Sequence, residues 1–287
     1  AKVFSRAFYA ELARRSTVEN ALRQARLSLS ESQNPWAIGT PVLYTALAEA
    51  APGFATPAGK LDIRENQPPL EVSILPRPLG AFQGRVEALL ALGHALTSEP
   101  RPRLLTICGL GGQGKTALAR QAAERFAYAW VGGVCAISLE TKPTRADFCF
   151  SLARFLGLPA DLPPADLERA LLQRLSQTRA LLVLDNAETF AEAIRDEDDE
   201  ALELAQFLQE GVLSTQASLL VTSREPLGWP DEKVLQLEGL SAKEGAALFS
   251  QSAPQRKGEI EMAAAEALSR RLEGHPLALL LLGLAFN

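Results

Sequence analysis

The run GLGGQGKT, Gly109–Thr116, sets glycines at 109, 111, 112 and 114 directly before Lys115 and Thr116. It satisfies the spacing G-x-x-x-x-G-K-[ST]. A backbone without Cβ atoms turns tightly enough for successive N–H groups to converge on one point, where an anion can sit. A helix starting at Lys115 would add its own unpaired N–H groups and positive dipole end. The Lys115 ammonium is a point charge for terminal phosphates, and the Thr116 hydroxyl is a hard oxygen suited to Mg²⁺. Gly111, Gly112, Gln113, Gly114 and Ala117 would complete the cradle. The chemistry is polyphosphate binding, with ATP or ADP as the expected ligand.

Such a loop needs a carboxylate near the metal. LLVLDNAE places Asp185 after four aliphatic residues, and a charge there is costly unless it has a partner. Asp185 is read as the metal-side acid, acting through water; the alternative is a plain turn cap. Asn186 follows it, and an amide cannot accept a proton. Glu188, three residues on, is the candidate for orienting water. It shares a face with Asp185 if a helical turn follows the strand, and lies on the opposite side if the strand continues. LLVTSRE places Arg224 directly after the strand, read either as a γ-phosphate contact or as a surface arginine paired with Glu225. Lys115, Asp185, Glu188 and Arg224 are thus the expected catalytic set.

These residues need a scaffold with several buried strands ending on one edge. RLLTIC (103–108), VGGVCAISL (131–139), ALLVLD (180–185) and SLLVTS (218–223) are short apolar runs without alternation, the pattern of strands covered on both faces. Helical patterns fall between them, at Lys115–Ala127, 144–157, 164–177 and 199–210. The fold class is therefore α/β, a parallel sheet between helices. After Leu240 only helical patterns remain, opened by a capping box at Ser241 and Glu244. Residues 49–79 carry six prolines, which forbid a long helix or central strand and mark a linker. Residues 1–48 hold two helical patterns, one with capping-box spacing at Ser16 and Glu19, and a strand at 41–47.

The 287 residues suggest about two domains. A net charge of -5 gives no surface for tracking a phosphate backbone, so direct nucleic-acid binding is not expected. Cys108, Cys135 and Cys149 fit no metal spacing and sit in apolar runs. They read as buried reduced thiols of a cytoplasmic protein. PLALLLLGLAF (276–286) is too short to span a bilayer and reads as a buried helix. The acidic run RDEDDE (195–200) reads as a solvated loop. A chain without an initial Met that stops at Asn287 within an apolar helical pattern reads as part of something larger.

FQGRVEALLAL (82–92), the phosphate loop, LLVLDNAE, LLVTSRE, LQLEGLSAKEGAALF (235–249) and GHPLALLLLG (274–283) stand in one order. In that order they resemble the NB-ARC/STAND signalling ATPases, an AAA+-related branch of P-loop proteins. The resemblance covers residues 80–287, with the P-loop domain at 80–238 and the start of a helical subdomain at 239–287. It implies that Phe82, Gly84 and Arg85 lie beside the adenine and that Pro276 touches base or ribose. His275 fills a variable position and is expected to pack or cap. It further implies a nucleotide-operated switch that forms oligomers of itself, with slow ATP hydrolysis. Asn186 stands where many relatives carry a second acid, which puts hydrolysis in doubt. The family's winged helix and sensor repeats fall outside this sequence.

AFYAELARRSTVENALRQARLSL followed by NPWAIGTPVLYTAL resembles the tail of a CHAT domain, a caspase-like peptidase module. That family's His and Cys lie upstream, so no peptidase residue falls here; His94 and Cys108 belong to the second domain. The resemblance implies that the switch regulates an attached peptidase. The alternatives are the NTPase core of a STAND-type transcription regulator and a module that holds nucleotide with negligible hydrolysis. No membrane partner is expected.

Overall fold

A computed structural model of the protein describes residues 68–76, 82–159, 161–259 and 261–287, with the helical residues Phe8, Ala10, Glu11, Ala21 and Ala25 before them. Residues 1–66 and 67–287 are separate compact units. The expected CHAT-like tail, its Ser16 capping box and its strand at 41–47 lie outside the described residues apart from those five.

In the second unit the chain runs β1 (Leu70–Glu71), α1 (Val86–Thr97), β2 (Leu104–Cys108), α2 (Lys115–Phe126), β3 (Val134–Ser138), α3 (Arg145–Leu156), α4 (Pro164–Gln177) and β4 (Leu181–Asp185). It continues through α5 (Ala187–Arg195), α6 (Asp199–Gln206), β5 (Ser218–Ser223), β6 (Glu232–Gln236), α7 (Ala242–Ser252), α8 (Met262–Arg271) and α9 (Pro276–Phe286). Among the described residues the strands make one six-stranded sheet in the order β1-β3-β4-β5-β2-β6. Every pairing is parallel. The fold is that of an α/β P-loop NTPase.

The strand residues alternate between two apolar layers. Leu182 and Leu184 face α3, α4 and α6, where Phe148, Leu171 and Leu204 are fully buried. Leu181 and Val183 face α1 and α2, where Leu92, Leu118 and Ala122 are buried. Burying such a leucine is worth about 1.5–3 kcal/mol, so β4 is held from both sides. α3 opens on a complete capping box between Thr144 and Asp147, and α4 on Pro164 at its first position. α6 is capped by Asp198, which accepts from Ala201 N–H at 3.0 Å. The acidic run is therefore partly a helix start: Arg195 closes α5 and Asp198 begins α6. The helix expected over 199–210 gives way at Phe207 to a π-helical turn.

The four expected strands are present, and two more flank them. β1 lies within the proline-rich segment read as a linker. It is an edge strand of two residues, a place where neighbouring prolines cost no ladder bond. Arg120 of α2 fixes the strap behind it, donating to the carbonyls of Val72 and Leu75 while Nε pairs with Glu124 at 2.8 Å. β6 forms the opposite edge.

α7, α8 and α9 pack as a small helical subdomain around Ala246, Phe249, Ala265 and Leu279. The capping box expected at Ser241 and Glu244 starts α7. The reading of residues 276–286 as a buried helix needs correction. Leu279 and Gly283 are buried, but Leu281 and Leu284 are 56% and 50% exposed. An all-round apolar sequence does not say which face meets the core. Among the described residues no helix is long and apolar enough to cross a membrane.

Candidate functional site

In a parallel sheet all strands end on one edge, and crevices form there. β2 ends at Cys108, β4 at Asp185 and β5 at Ser223. The loop Gly109–Gly114 follows β2, and Lys115 is the first residue of α2. A cavity of about 690 Å³ opens over it, within the usual range for small-molecule sites. It is walled by Gly111–Ala117 on one side and by Pro276, Leu277 and Leu280 of α9 on the other, with Phe82, Arg85, Glu188 and Arg224 between.

Gly114 caps α2 in the left-handed region, leaving the first turn's N–H groups free of any side-chain cap. Gly112 has φ 75°, and a Cβ there would come within 2.7 Å of the His275 ring and 2.9 Å of Leu277. The loop can lie this close to α9 only as glycine. Lys115 is 7% exposed, and its ammonium donates to the carbonyls of Gly109 and Leu110 at 2.9 and 3.2 Å. Burial pushes its pKa down; Glu188 opposes that shift and Arg224 adds to it.

Asp185 is 4% exposed, and its Oδ1 accepts from the hydroxyls of Thr116 at 2.7 Å and Thr222 at 2.6 Å. Two hydroxyl donors on one oxygen suit an ionised carboxylate. Thr222 Oγ1 in turn accepts from Asn186 N–H at 3.0 Å. Asn186 is left-handed, φ 58°, and turns the chain from β4 into α5. That turn settles the choice left open for Glu188: a helix follows, and Glu188 lines the cavity from its first turn. Its Oε1 lies 3.4 Å from Arg224 Nε. Glu225, the alternative partner for Arg224, pairs instead with Arg195 at 3.1 Å.

Phe82 and Arg85 line the cavity. The guanidinium of Arg85 is occupied: it donates to the carbonyl of Gln113 at 2.8 Å and to that of Glu238. It therefore ties the phosphate loop to the β6–α7 connection. Gly84, Gly109 and Asp185 are not among the lining residues. Gly84 has φ 65°, and a Cβ would strike the Glu244 carboxylate, which accepts from Arg85 N–H at 3.0 Å. Its glycine serves the docking of α7. Asp185 reaches the cavity through Thr116.

His275 caps α9, its Nδ1 accepting from Ala278 N–H at 3.3 Å. Its Nε2 lies 2.9 Å from the carbonyl oxygen of Gly111. A carbonyl only accepts, so Nε2 carries the proton and one neutral tautomer makes both bonds. Leu277 N–H donates to Gly112 C=O at 3.2 Å beside it. The packing and capping role expected of His275 is thus joined by a bridge to the phosphate loop. Sequence reasoning also missed Thr222, whose hydroxyl in an aliphatic run was the available signal, and Glu140, two residues past β3, which lines the cavity.

The residues fit a magnesium nucleotide. Gln113 Oε1 and Glu188 Oε2 are buried at the cavity wall without a hydrogen-bond partner, as groups awaiting a ligand would be. Among the described residues no cluster of three His, Cys, Asp or Glu could cage a metal. Thr116 and Asp185 offer the one or two oxygens that Mg²⁺ takes from protein when phosphates and water supply the rest.

Residues 99–222 match the model of a family described as "AAA domain", and the chain carries a P-loop domain of AAA type. A Mycobacterium bovis protein named "Putative HTH-type transcriptional regulator" is 32% identical over 183 residues, covering 62% of this chain and 19% of that protein. An uncharacterized protein of the same organism is 29% identical over 209 residues, 71% of this chain and 50% of its own length. The chain thus spans half or less of these curated relatives. Among solved structures, the Aeropyrum pernix ORC1 protein in complex with DNA has a TM-score of 0.50 at 20% identity, covering 75% of this chain and 62% of that one. That likeness concerns the fold.

Proposed function

From a P-loop domain of AAA type as premise, we propose that the protein is a nucleotide-operated switch of the STAND kind. It binds ATP or ADP with Mg²⁺ between the sheet and the helical subdomain, and the nucleotide sets how those two parts sit together. One observation carries this reading: α9 bonds the phosphate loop itself, through His275 to Gly111 and Leu277 to Gly112. A ligand in the cavity touches both parts and therefore biases their arrangement.

A ligand shifts such an equilibrium only by its differential affinity for the two states. The γ-phosphate contacts open to Lys115 and Arg224 supply a difference between ATP and ADP. Each charge-assisted hydrogen bond is worth about 1.5–3 kcal/mol, and two would shift populations by roughly 10²–10⁴-fold. Thr116 and Asp185 hold the metal, whose chemistry is to neutralise phosphate charge. Phe82 and Pro276 sit at the base end. Arg85 acts on the loop by holding its Gln113 carbonyl.

In the longer protein this switch assembles copies of itself. On the CHAT-like character of residues 1–48 it governs an attached peptidase. A second reading, the ATPase core of a transcription regulator, is favoured by the names of the 32%-identical relatives; a basic helix-turn-helix in the flanking sequence would decide for it. The test of the common core is the nucleotide content of the purified protein, released by denaturation and separated by chromatography. Stoichiometric ADP or ATP, lost in Lys115→Ala, is expected. An empty wild-type protein that also fails to take up added nucleotide would end this reading.

A further inference from the structure

Asn186 stands beside the metal-side acid, where it cannot accept a proton. The neighbouring strand supplies a carboxylate at the same place. β3 and β4 are adjacent and in register at Ser138 and Asp185, and the ladder continues one step, Leu139 N–H donating to Asp185 C=O at 2.8 Å. Glu140 therefore emerges next to Asn186. The two side chains meet: Asn186 Nδ2 donates to Glu140 Oε2 at 3.4 Å. Both line the cavity with Lys115 and Thr116. Asn186 is itself fixed, its N–H held by Thr222 Oγ1, which also donates to Asp185. One chain of bonds thus runs from the metal-side carboxylate to Glu140.

Two cavity-lining glutamates compete for work on water. Glu188 is half-buried, its Oε1 paired with Arg224 and its Oε2 enclosed without a partner. Glu140 is exposed and makes no ion pair among the described residues, so a water in the cavity can reach its carboxylate.

We propose that Glu140 is the base that orients and deprotonates the attacking water in ATP hydrolysis, with Asn186 as the positioning residue that aims it. The inference rests on the nucleotide reading above. The water oxygen forms a bond to the γ-phosphorus as the bond from that phosphorus to the β,γ-bridging oxygen breaks. The water proton passes to the Glu140 carboxylate and on to solvent, and the products are ADP and inorganic phosphate. Residue 186, directly after Asp185, is an amide, and the base sits one strand across the sheet.

The experiment compares the 287-residue wild type with Glu140→Gln, Asn186→Ala and Glu188→Gln. ATP affinity is titrated first. Phosphate release is then followed in a single turnover, and the bound nucleotide is identified after prolonged incubation with ATP and Mg²⁺. Glu140→Gln should bind ATP within about threefold of wild type, cleave it roughly 10²–10⁴-fold more slowly, and yield bound ATP where wild type yields ADP. Asn186→Ala should slow cleavage by about tenfold or more with affinity unchanged, a split that a merely structural role would not produce. Cleavage at the wild-type rate by Glu140→Gln, with the loss falling on Glu188→Gln, overturns the assignment. A wild type that binds ATP but never cleaves it overturns it too and leaves the switch standing. A wild type that binds no ATP brings down the nucleotide reading and this inference together.

Discussion

His275 Nε2 donates to the carbonyl of Gly111 across the seam between helical subdomain and phosphate loop, at 2.9 Å. The same ring caps its own helix through Nδ1, so one side chain both starts α9 and holds it against the loop. Removing the bridge should loosen closure over a bound nucleotide. A hydrogen bond of about 0.5–1.5 kcal/mol corresponds to roughly two- to tenfold in rate. His275→Ala should therefore release a fluorescent ADP analogue several-fold faster in a stopped-flow displacement. His275→Ser keeps a capping oxygen but is too short to reach Gly111, and should release it equally fast. Release by His275→Ser at the wild-type rate would assign the effect to the cap.

Asp185 accepts both its hydroxyl bonds at Oδ1. Asn at this position has the same shape and still offers a carbonyl oxygen there, so Asp185→Asn should fold normally while losing the charge that faces the metal. In wild type, Mg²⁺ should tighten ATP binding by about tenfold or more, roughly 1.4 kcal/mol; in the variant that dependence should vanish. Titrations with Mg²⁺ and with EDTA measure it. An equal Mg²⁺ effect in both proteins would place the metal on other residues.

The inner strands and the phosphate loop were readable because their signals are local. An aliphatic run such as LLVL or a fixed Gly-Lys-Thr spacing needs no knowledge of neighbours. β6 was not readable: EKVLQ lies on an edge, Val234 is 46% exposed, and its sequence looks like a polar connection. β1 is two residues long, and the strap after it is held by Arg120 from α2, a contact no window of sequence contains. The site divides in the same way. Lys115, Thr116 and Asp185 carry their own spacing. Glu140 becomes a candidate only when β3 is known to lie beside β4, and His275 only when α9 is seen to meet the loop. Glycine at 84 was legible as a motif residue, but the reason for it, the carboxylate of Glu244 against its Cα, is a tertiary contact.

Glu244 gives the docked helices a dependence on acid. Burial, the largest influence on its carboxyl, pushes the pKa up, but hydrogen bonds from Ser241 and from Arg85 N–H outweigh it and the net shift is below the ordinary value of 4.5. A carboxyl depressed on folding stabilises the folded state above its unfolded pKa, and that contribution is lost as pH falls through the folded value. Amide protection of α7 should thus be unchanged between pH 7 and about 5 and fall below about 4. Glu244→Gln should lower protection at pH 7 and flatten the response to acid. Hydrogen exchange across the three conditions reads both effects. A variant with the full acid response would move the titrating group elsewhere.

The three cysteines make the opposite prediction at high pH. Burial raises the Cys108 thiol to about 11 and the Cys135 and Cys149 thiols to about 12, against an ordinary 9.0. Below pH 9 both folded and unfolded chains hold these protons. Above it the unfolded chain releases them first and binds fewer, so stability falls as pH rises, from about 9 until the folded thiols ionise. Iodoacetamide attacks the thiolate. At pH 8 the thiolate fraction of Cys108 in the folded protein is on the order of 10⁻³. Alkylation of the native protein should therefore be slower than in urea by roughly 10²–10³-fold for each cysteine. Thermal unfolding midpoints measured from pH 7 to 10 should decline beyond pH 9, and the decline should weaken when Cys135 and Cys149 are replaced by alanine. Rapid labelling of any of the three at pH 8 in the native protein would show that its strand or helix opens on the timescale of the reaction.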